Sequence, residues 1–182
     1  MPDYSTVTEP PGNMGSKEQL SMLFTRYHWA SNFCEGKTVL EVGCGAGQGL
    51  GLLAKKASLV MGGDIEPQNL IFAQRHYNGR DEIKLIQFDG HFFPLKDKSI
   101  DVVLLYEAIY YLSQPEKFME ESGRVLKDTG VLLICTVNRN WSDFNPSPYS
   151  TKYLSVPVLY WLLKPRFSKV EIAEVPRAAA MA

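Results

Sequence analysis

The stretch KTVLEVGCGAGQG, residues 37–49, decides the fold. An apolar run carries one carboxylate, Glu41, then breaks into glycines at alternate positions, Gly43, Gly45, Gly47 and Gly49, with Gly51 continuing the pattern. Without a Cβ, such a segment turns sharply and lets backbone approach a ligand closely. A second apolar run, 58–64, ends in another carboxylate, Asp64, about twenty positions on. This is the order of a strand, a glycine loop, a helix and a second strand that together hold a nucleoside.

Glu41 discriminates among nucleoside ligands. A loop built for a diphosphate offers backbone N–H groups and a helix N-terminus to negative charge. A carboxylate just before the first glycine opposes that, and favours a ligand with positive charge near the loop, as in the sulfonium and ammonium of S-adenosylmethionine. The spacing also departs from G-x-G-x-x-G, since Gln48 stands at the last glycine position, and there is no G-x-x-x-x-G-K-[ST]. A nicotinamide-dependent oxidoreductase is disfavoured on both counts. The plainer reading, a tight turn beside an incidental surface glutamate, leaves the strand and Asp64 unexplained.

At 182 residues the chain suits one domain with a sizeable core, and a net charge of −1 argues against a strongly basic nucleic-acid surface. The cysteines Cys34, Cys44 and Cys135 have no C-x-x-C spacing, so neither a zinc cluster nor a disulfide framework is expected. No apolar stretch reaches the roughly 18–20 residues of a membrane span, and residues 1–16 are polar without the apolar core of a signal peptide. A cytoplasmic protein with no metal, no membrane contact and no nucleic-acid partner is expected.

Apolar patterning divides the chain into a flexible leader at 1–15, one domain at 16–176 and a disordered tail at 177–182. Within the domain it predicts helices at 17–34, 47–56, 66–77, 115–126 and 153–163, with Ser16 capping the first. Strands are predicted at 38–42, 59–63, 83–88, 100–105 and 130–137, and a sixth at 167–175, where apolar and polar residues alternate. Residues 138–150 are polar and turn-rich, long enough for a lid or binding loop. Near-continuous apolar strands alternating with helices imply a Rossmann-like α/β/α domain, with a mostly parallel sheet covered on both faces.

Five segments, VLEVGCGAG (39–47), GDI (63–65), FDG (88–90), SIDVV (99–103) and RVLKDTG (124–130), together resemble the class I S-adenosylmethionine-dependent methyltransferases with a generic small-molecule methyltransferase domain. The resemblance covers 36–134 and extends less closely to 175. It implies an enzyme that uses S-adenosylmethionine and releases S-adenosylhomocysteine. It also implies a seventh, antiparallel strand, and no segment of this sequence supplies one.

Carried over position by position, the resemblance assigns Glu41 and the loop residues Gly43, Cys44 and Gly45 to the cofactor. Asp64 meets the ribose diol and Ile65 the adenine face, although an aspartate there also serves as a helix cap. Asp89 and Gly90 meet the adenine edge, although Asp89 reads equally as an exposed turn residue. Backbone at Leu105 and Tyr106 reaches the methionine ammonium, and Tyr27 lies in a segment that folds over the cofactor. Tyr110 and Tyr111 are the candidates for lining the acceptor pocket and for positioning or deprotonating the acceptor. His91, next to Asp89, is read as incidental.

Transfer of a methyl group from a sulfonium needs positioning and at times a base, but no covalent intermediate, so the acceptor cannot be read from a catalytic triad. The Asn/Asp-Pro-Pro-Tyr tetrad of nucleic-acid amino-methyltransferases is replaced by LYEA at 105–108, and NPSPY at 145–149 falls after the wrong strand. The expected acceptor is O or N of a small molecule, with sugars and glycans suited to the mixed loop of Asn138, Arg139, Asn140, Trp141, Asp143, Phe144 and Tyr149. A non-catalytic or truncated cofactor-binding module is the alternative. The oligomeric state stays open, with a homodimer among the options.

Overall fold

The computed structural model describes residues 3–8, 17–140 and 144–174. Five strands form one parallel sheet: β1 (Thr38–Val42), β2 (Leu59–Asp64), β3 (Ile83–Gln87), β4 (Ile100–Tyr106) and β5 (Leu126–Cys135). Their order is β3-β2-β1-β4-β5, so the chain reverses its direction of travel across the sheet between β1 and β4. In open parallel sheets the crevice beyond the strand ends at that reversal is where ligands bind.

The two faces of the sheet follow from the alternation of side chains along each strand. Val39, Val60, Val102, Leu104 and Leu133 pack on one side with Ala30, Leu50 and Leu53. Leu40, Val42, Val103 and Leu105 pack on the other with Phe118, Met119 and Val125. The first side is covered by α1 (Lys17–Ser31), α2 (Leu50–Leu53) and α3 (Pro67–His76), the second by α4 (Pro115–Val125) and α5 (Val156–Leu163). Glu41 shares the parity of Val39, which turns its side chain toward α1.

Several expected boundaries move. The helix at 47–56 shrinks to the single turn of α2, because Gly47 takes φ +81°, outside helical space, and the segment before Leu50 is spent on turns. Lys55 and Lys56 therefore lie beyond the helix rather than in its last turn. β5 starts at Leu126, directly after α4, not at Gly130. Ile100 pairs with Leu126 and Val102 already with Val131, so residues 127–130 bulge from the ladder. Gly130 permits this: a Cβ there would lie 2.8 Å from Leu126 Cδ2 and 2.9 Å from the Lys127 carbonyl.

The sixth strand is not formed. Residues 167–174 have no ladder partner among the described residues, and the sheet ends at β5. Alternation fixes which face of a strand would be buried; it does not supply a neighbour to bond with.

Within the expected leader, residues 3–8 are described. Tyr4–Val7 forms a 3-10 helix capped by Asp3, whose Oδ1 accepts the Ser5 N–H at 3.0 Å. Ser16, Trp141, Asp143 and the tail at 177–182 lie outside the described residues. Among the described residues no helix is long and apolar enough to cross a membrane.

Candidate active site

A cavity of about 560 Å³ opens beyond the C-terminal ends of β1, β2 and β4, within the range of small-molecule sites. It runs from the glycine loop and the β2 tip to the segment after β4. Of the residues expected to hold a cofactor, Tyr27, Gly43, Cys44, Gly45 and Asp64 line it. So do Ile65, Asp89, Gly90, Leu105 and Tyr106, together with the acceptor candidates Tyr110 and Tyr111.

Glu41 does not line the cavity. Its side chain is 1% exposed and lies under the loop on the α1 side, where Tyr27 donates its hydroxyl hydrogen to Oε1. Oε2 is buried without a partner among the described residues. Burial pushes the carboxyl up to about 8, against the lowering effect of the Tyr27 bond. Glu41 therefore acts on the site through Tyr27, whose ring occupies the space that a Cβ on Gly49 would need; that Cβ would fall 1.9 Å from the ring.

Asp64 ties the loop to the next helix. Its Oδ2 accepts the Gly45 N–H and its Oδ1 the Glu66 N–H, both at 2.8 Å. The cap of α3 is Glu66, so Asp64 is not the helix cap that the plainer reading assigned. Burial raises its carboxyl, opposed by those backbone N–H groups and by Asn69. Gly45 and Gly43 take φ +55° and +67°, the left-handed region, with Gly45 N–H turned onto Asp64. This pre-formed cradle fits a nucleoside with a diol near Asp64.

At the third edge, Asp89 Oδ1 accepts the His91 backbone N–H at 2.9 Å and faces His91 Nδ1. His91 Nε2 accepts the Gln114 N–H at 3.3 Å, so the ring proton sits on Nδ1. His91 thus locks the Asp89 turn to the start of α4.

Beyond β4, Glu107 has φ +51°, a left-handed conformation that a bulky residue rarely adopts. Its N–H bonds the Cys135 carbonyl at 2.8 Å, and its Oε1 pairs with Arg26 Nη1 at 3.0 Å. Burial raises the Glu107 carboxyl, while Arg26 and the Val137 N–H lower it. Tyr110 and Tyr111 follow in a 3-10 helix, with Tyr110 stacked on Tyr153 at 4.5 Å and Tyr111 bonded to Ser147 through its hydroxyl. Burial raises both phenols, so at neutral pH they are hydrogen-bond donors rather than bases.

Sequence reasoning missed Arg26, Tyr4, Thr8 and Thr151, all of which line the cavity. Arg26 had a signal, since Gln19, Met22, Leu23 and Arg26 share one face of α1 at helical spacing. Tyr4 lies edge-on to Tyr111 at 5.4 Å and Thr8 accepts an Asn69 amide hydrogen at 3.2 Å, contacts that no local pattern announces. Thr151 is held by its N–H on the Tyr110 carbonyl at 2.7 Å. Asp64, Asp89 and Glu107 outnumber the one arginine among the lining residues, a charge balance that suits a cationic ligand.

Comparison with known proteins agrees with this geometry. The methyltransferase-domain family model matches residues 40–134. A "probable S-adenosylmethionine-dependent methyltransferase" of Mycolicibacterium smegmatis is 32% identical over 151 residues, covering 80% of this chain and 57% of that protein. A fatty-acid O-methyltransferase of the same organism is 35% identical over 101 residues, 54% of this chain and 36% of its own length. Among solved structures, an S-adenosylmethionine-dependent methyltransferase from Aquifex aeolicus superposes with a TM-score of 0.71 at 26% identity, covering 83% of this chain and 82% of that one. The chain spans about half the length of the curated relatives it matches, 57% and 48% for the mycobacterial ones. From the glycine loop to β5, where fold, cradle and family model coincide, the chain belongs to the S-adenosylmethionine-dependent methyltransferase family.

Proposed function

We propose that the protein transfers the methyl group of S-adenosylmethionine to an oxygen or nitrogen of a small molecule. The observation that carries this is one continuous cavity, with the Gly45–Asp64 cradle at one end and Tyr110 and Tyr111 at the other. When bound, the cofactor supplies an electrophilic methyl on a sulfonium, open to in-line displacement. Asp64 and Asp89 hold the nucleoside, and the loop fixes its distance from the tyrosines. Tyr110 and Tyr111 orient the acceptor by donating hydrogen bonds, and the enclosing aromatic side chains exclude water.

The acceptor in this proposal is polar with an apolar edge, such as a sugar ring or glycan-related compound. Tyrosine faces beside the Thr151 hydroxyl support that chemistry. The relative that methylates fatty acids marks a different acceptor as the competing case. The absence of a nucleic-acid partner belongs to the same proposal and rests on the net charge of −1; cytoplasmic residence is proposed with it, and the oligomeric state stays open. The outer edge of β5, unpaired among the described residues, favours a second reading, a cofactor-binding module without catalysis, because an open edge invites a partner chain.

Methyl-labelled S-adenosylmethionine offered with sugars, phenols, amines and fatty acids separates these readings. Label in any acceptor supports the enzyme, and label in a sugar supports the narrower proposal. S-adenosylhomocysteine binding with no labelled acceptor favours the module.

A further inference from the structure

The helix α5 reads VPVLYWLL, without a charged side chain, and none of its residues is buried. Leu159, Leu162 and Leu163 share one face at helical spacing and pack on the core beneath α4. The other positions turn outward: Val156 is 43% exposed, Val158 46% and Trp161 69%, with Pro157 exposed between them. A surface helix ordinarily sets polar residues opposite its apolar stripe. Here the outward face is apolar too, until Lys164 ends it. Among the described residues Trp161 is the most exposed large apolar side chain.

Cations bracket that face. From Phe144 to Val170 the sequence holds Lys152, Lys164, Arg166 and Lys169 and no aspartate or glutamate, in a chain whose net charge is −1. Arg166 meets Glu120 at 2.9 Å and Lys169 meets Glu171, whereas Lys152 and Lys164 have no ion pair among the described residues. An apolar face around a tryptophan, edged with lysine, has the composition of a helix that lies in a bilayer interface. Its apolar side chains enter the acyl boundary and its cations meet anionic headgroups. A second copy of the chain fits less well, since a two-fold contact sets the patch against itself and brings the same lysines together. A nucleic acid would use the cations and leave the apolar face in water. We propose that α5 docks the protein on an anionic membrane surface, with Val156, Val158 and Trp161 in the interface and Lys152 and Lys164 on the headgroups. The expectation of no membrane contact rested on the lack of a spanning segment, and a helix lying in the interface needs none. The same segment supplies Thr151 to the cavity, so the docked helix is joined directly to the cavity wall. The inference does not depend on the methyltransferase reading.

Flotation of the full chain with lipid vesicles tests this. Vesicles of phosphatidylcholine mixed equally with phosphatidylglycerol should carry the wild-type chain upward, and phosphatidylcholine alone should carry much less. Trp161→Ser should weaken binding to the mixed vesicles by roughly 10- to 100-fold, the scale of one large apolar side chain left out of the bilayer. Trp161→Phe, which keeps an apolar ring, should retain most of the binding. Lys152→Gln combined with Lys164→Gln should weaken it by roughly 20-fold, about fivefold for each lysine, and flatten its dependence on salt. All three positions are exposed, so the urea midpoints should match wild type, which separates lost docking from lost folding. No flotation with the mixed vesicles, or wild-type flotation of Trp161→Ser or of the lysine pair, would overturn the proposal. A lipid-free dimer in sedimentation equilibrium that Trp161→Ser dissociates would overturn it as well, by assigning the face to a second copy.

Discussion

The two ends of the cavity are built in different ways. The cofactor end comes from one contiguous unit, β1, the glycine loop, β2 and the start of α3, where Asp64 bonds Gly45 and Glu66. The proposed acceptor end is gathered from afar: Tyr4 from the N-terminal 3-10 helix, Tyr111 after β4, Ser147 and Thr151 after β5. The first is fixed by short-range geometry and buried carboxylates. The second is held by aromatic edges and side-chain bonds that a change of sequence can rearrange without disturbing the sheet. A family that keeps one ligand and varies another has reason to divide its site in this way.

Four measurements sharpen or break that contrast. The largest effect is expected in the pH dependence of folding. Glu41 has its carboxyl raised in the folded protein from the ordinary value of 4.5 to about 8. An acid whose folded pKa is raised gives stability that is complete below about 4.5 and is lost as pH climbs through about 8. Urea unfolding should therefore show stability falling across that window by on the order of a few kcal/mol. Glu41→Gln should flatten most of the slope; Asp64 and Glu107, also raised by burial, leave a smaller remainder of the same sign. An unchanged slope in the variant would show that the buried carboxylate is not the cost centre of the cofactor end.

Next is Gly45→Val. Its Cβ would sit 2.9 Å from Thr8 Cγ2, in a backbone held at φ +55°. Left-handed strain and the clash together should cost about 2–4 kcal/mol in S-adenosylhomocysteine affinity, read by calorimetry. Asp64→Ala removes the acceptor of the Gly45 N–H and should weaken the same ligand by roughly 1–3 kcal/mol. If either variant binds like wild type, the cradle is not the cofactor site.

The smallest effect belongs to the acceptor end. Ser147→Ala deletes the partner of the Tyr111 hydroxyl and should lower folding stability by about 0.5–1.5 kcal/mol. Its affinity for S-adenosylhomocysteine should not change. A loss of cofactor affinity there would mean that the two ends are coupled.

The same division governs what the sequence discloses. The runs at 38–42, 59–63 and 100–105 read correctly because a central parallel strand is buried on both faces and its apolar residues are contiguous. The run at 83–88, at the sheet edge with Lys84 and Gln87 exposed, is carried by Ile83, Leu85 and Ile86. The glycine loop and Asp64 read correctly because their meaning is local. Glu41 was traced to the right loop, but its burial against Tyr27 was not legible, since a ligand-facing carboxylate and a core-facing one look alike until strand parity is set against α1. The helix expected at 47–56 shrank because Gly47, in left-handed backbone, commits the segment before Leu50 to turns. The strand expected at 167–175 failed because pairing depends on a neighbour that its own residues do not encode. Tyr4 and Thr8 were hidden for the same reason, their partners lying at Tyr111 and Asn69.

One measurement bears most directly on the central claim, that the glycine-loop end is built for S-adenosylmethionine. Calorimetric titration of the purified chain with S-adenosylmethionine, S-adenosylhomocysteine and NAD should give saturable binding of both sulfur ligands, lost in Gly45→Val, and none of NAD. Binding of NAD in their place, or wild-type affinity in Gly45→Val, would contradict it.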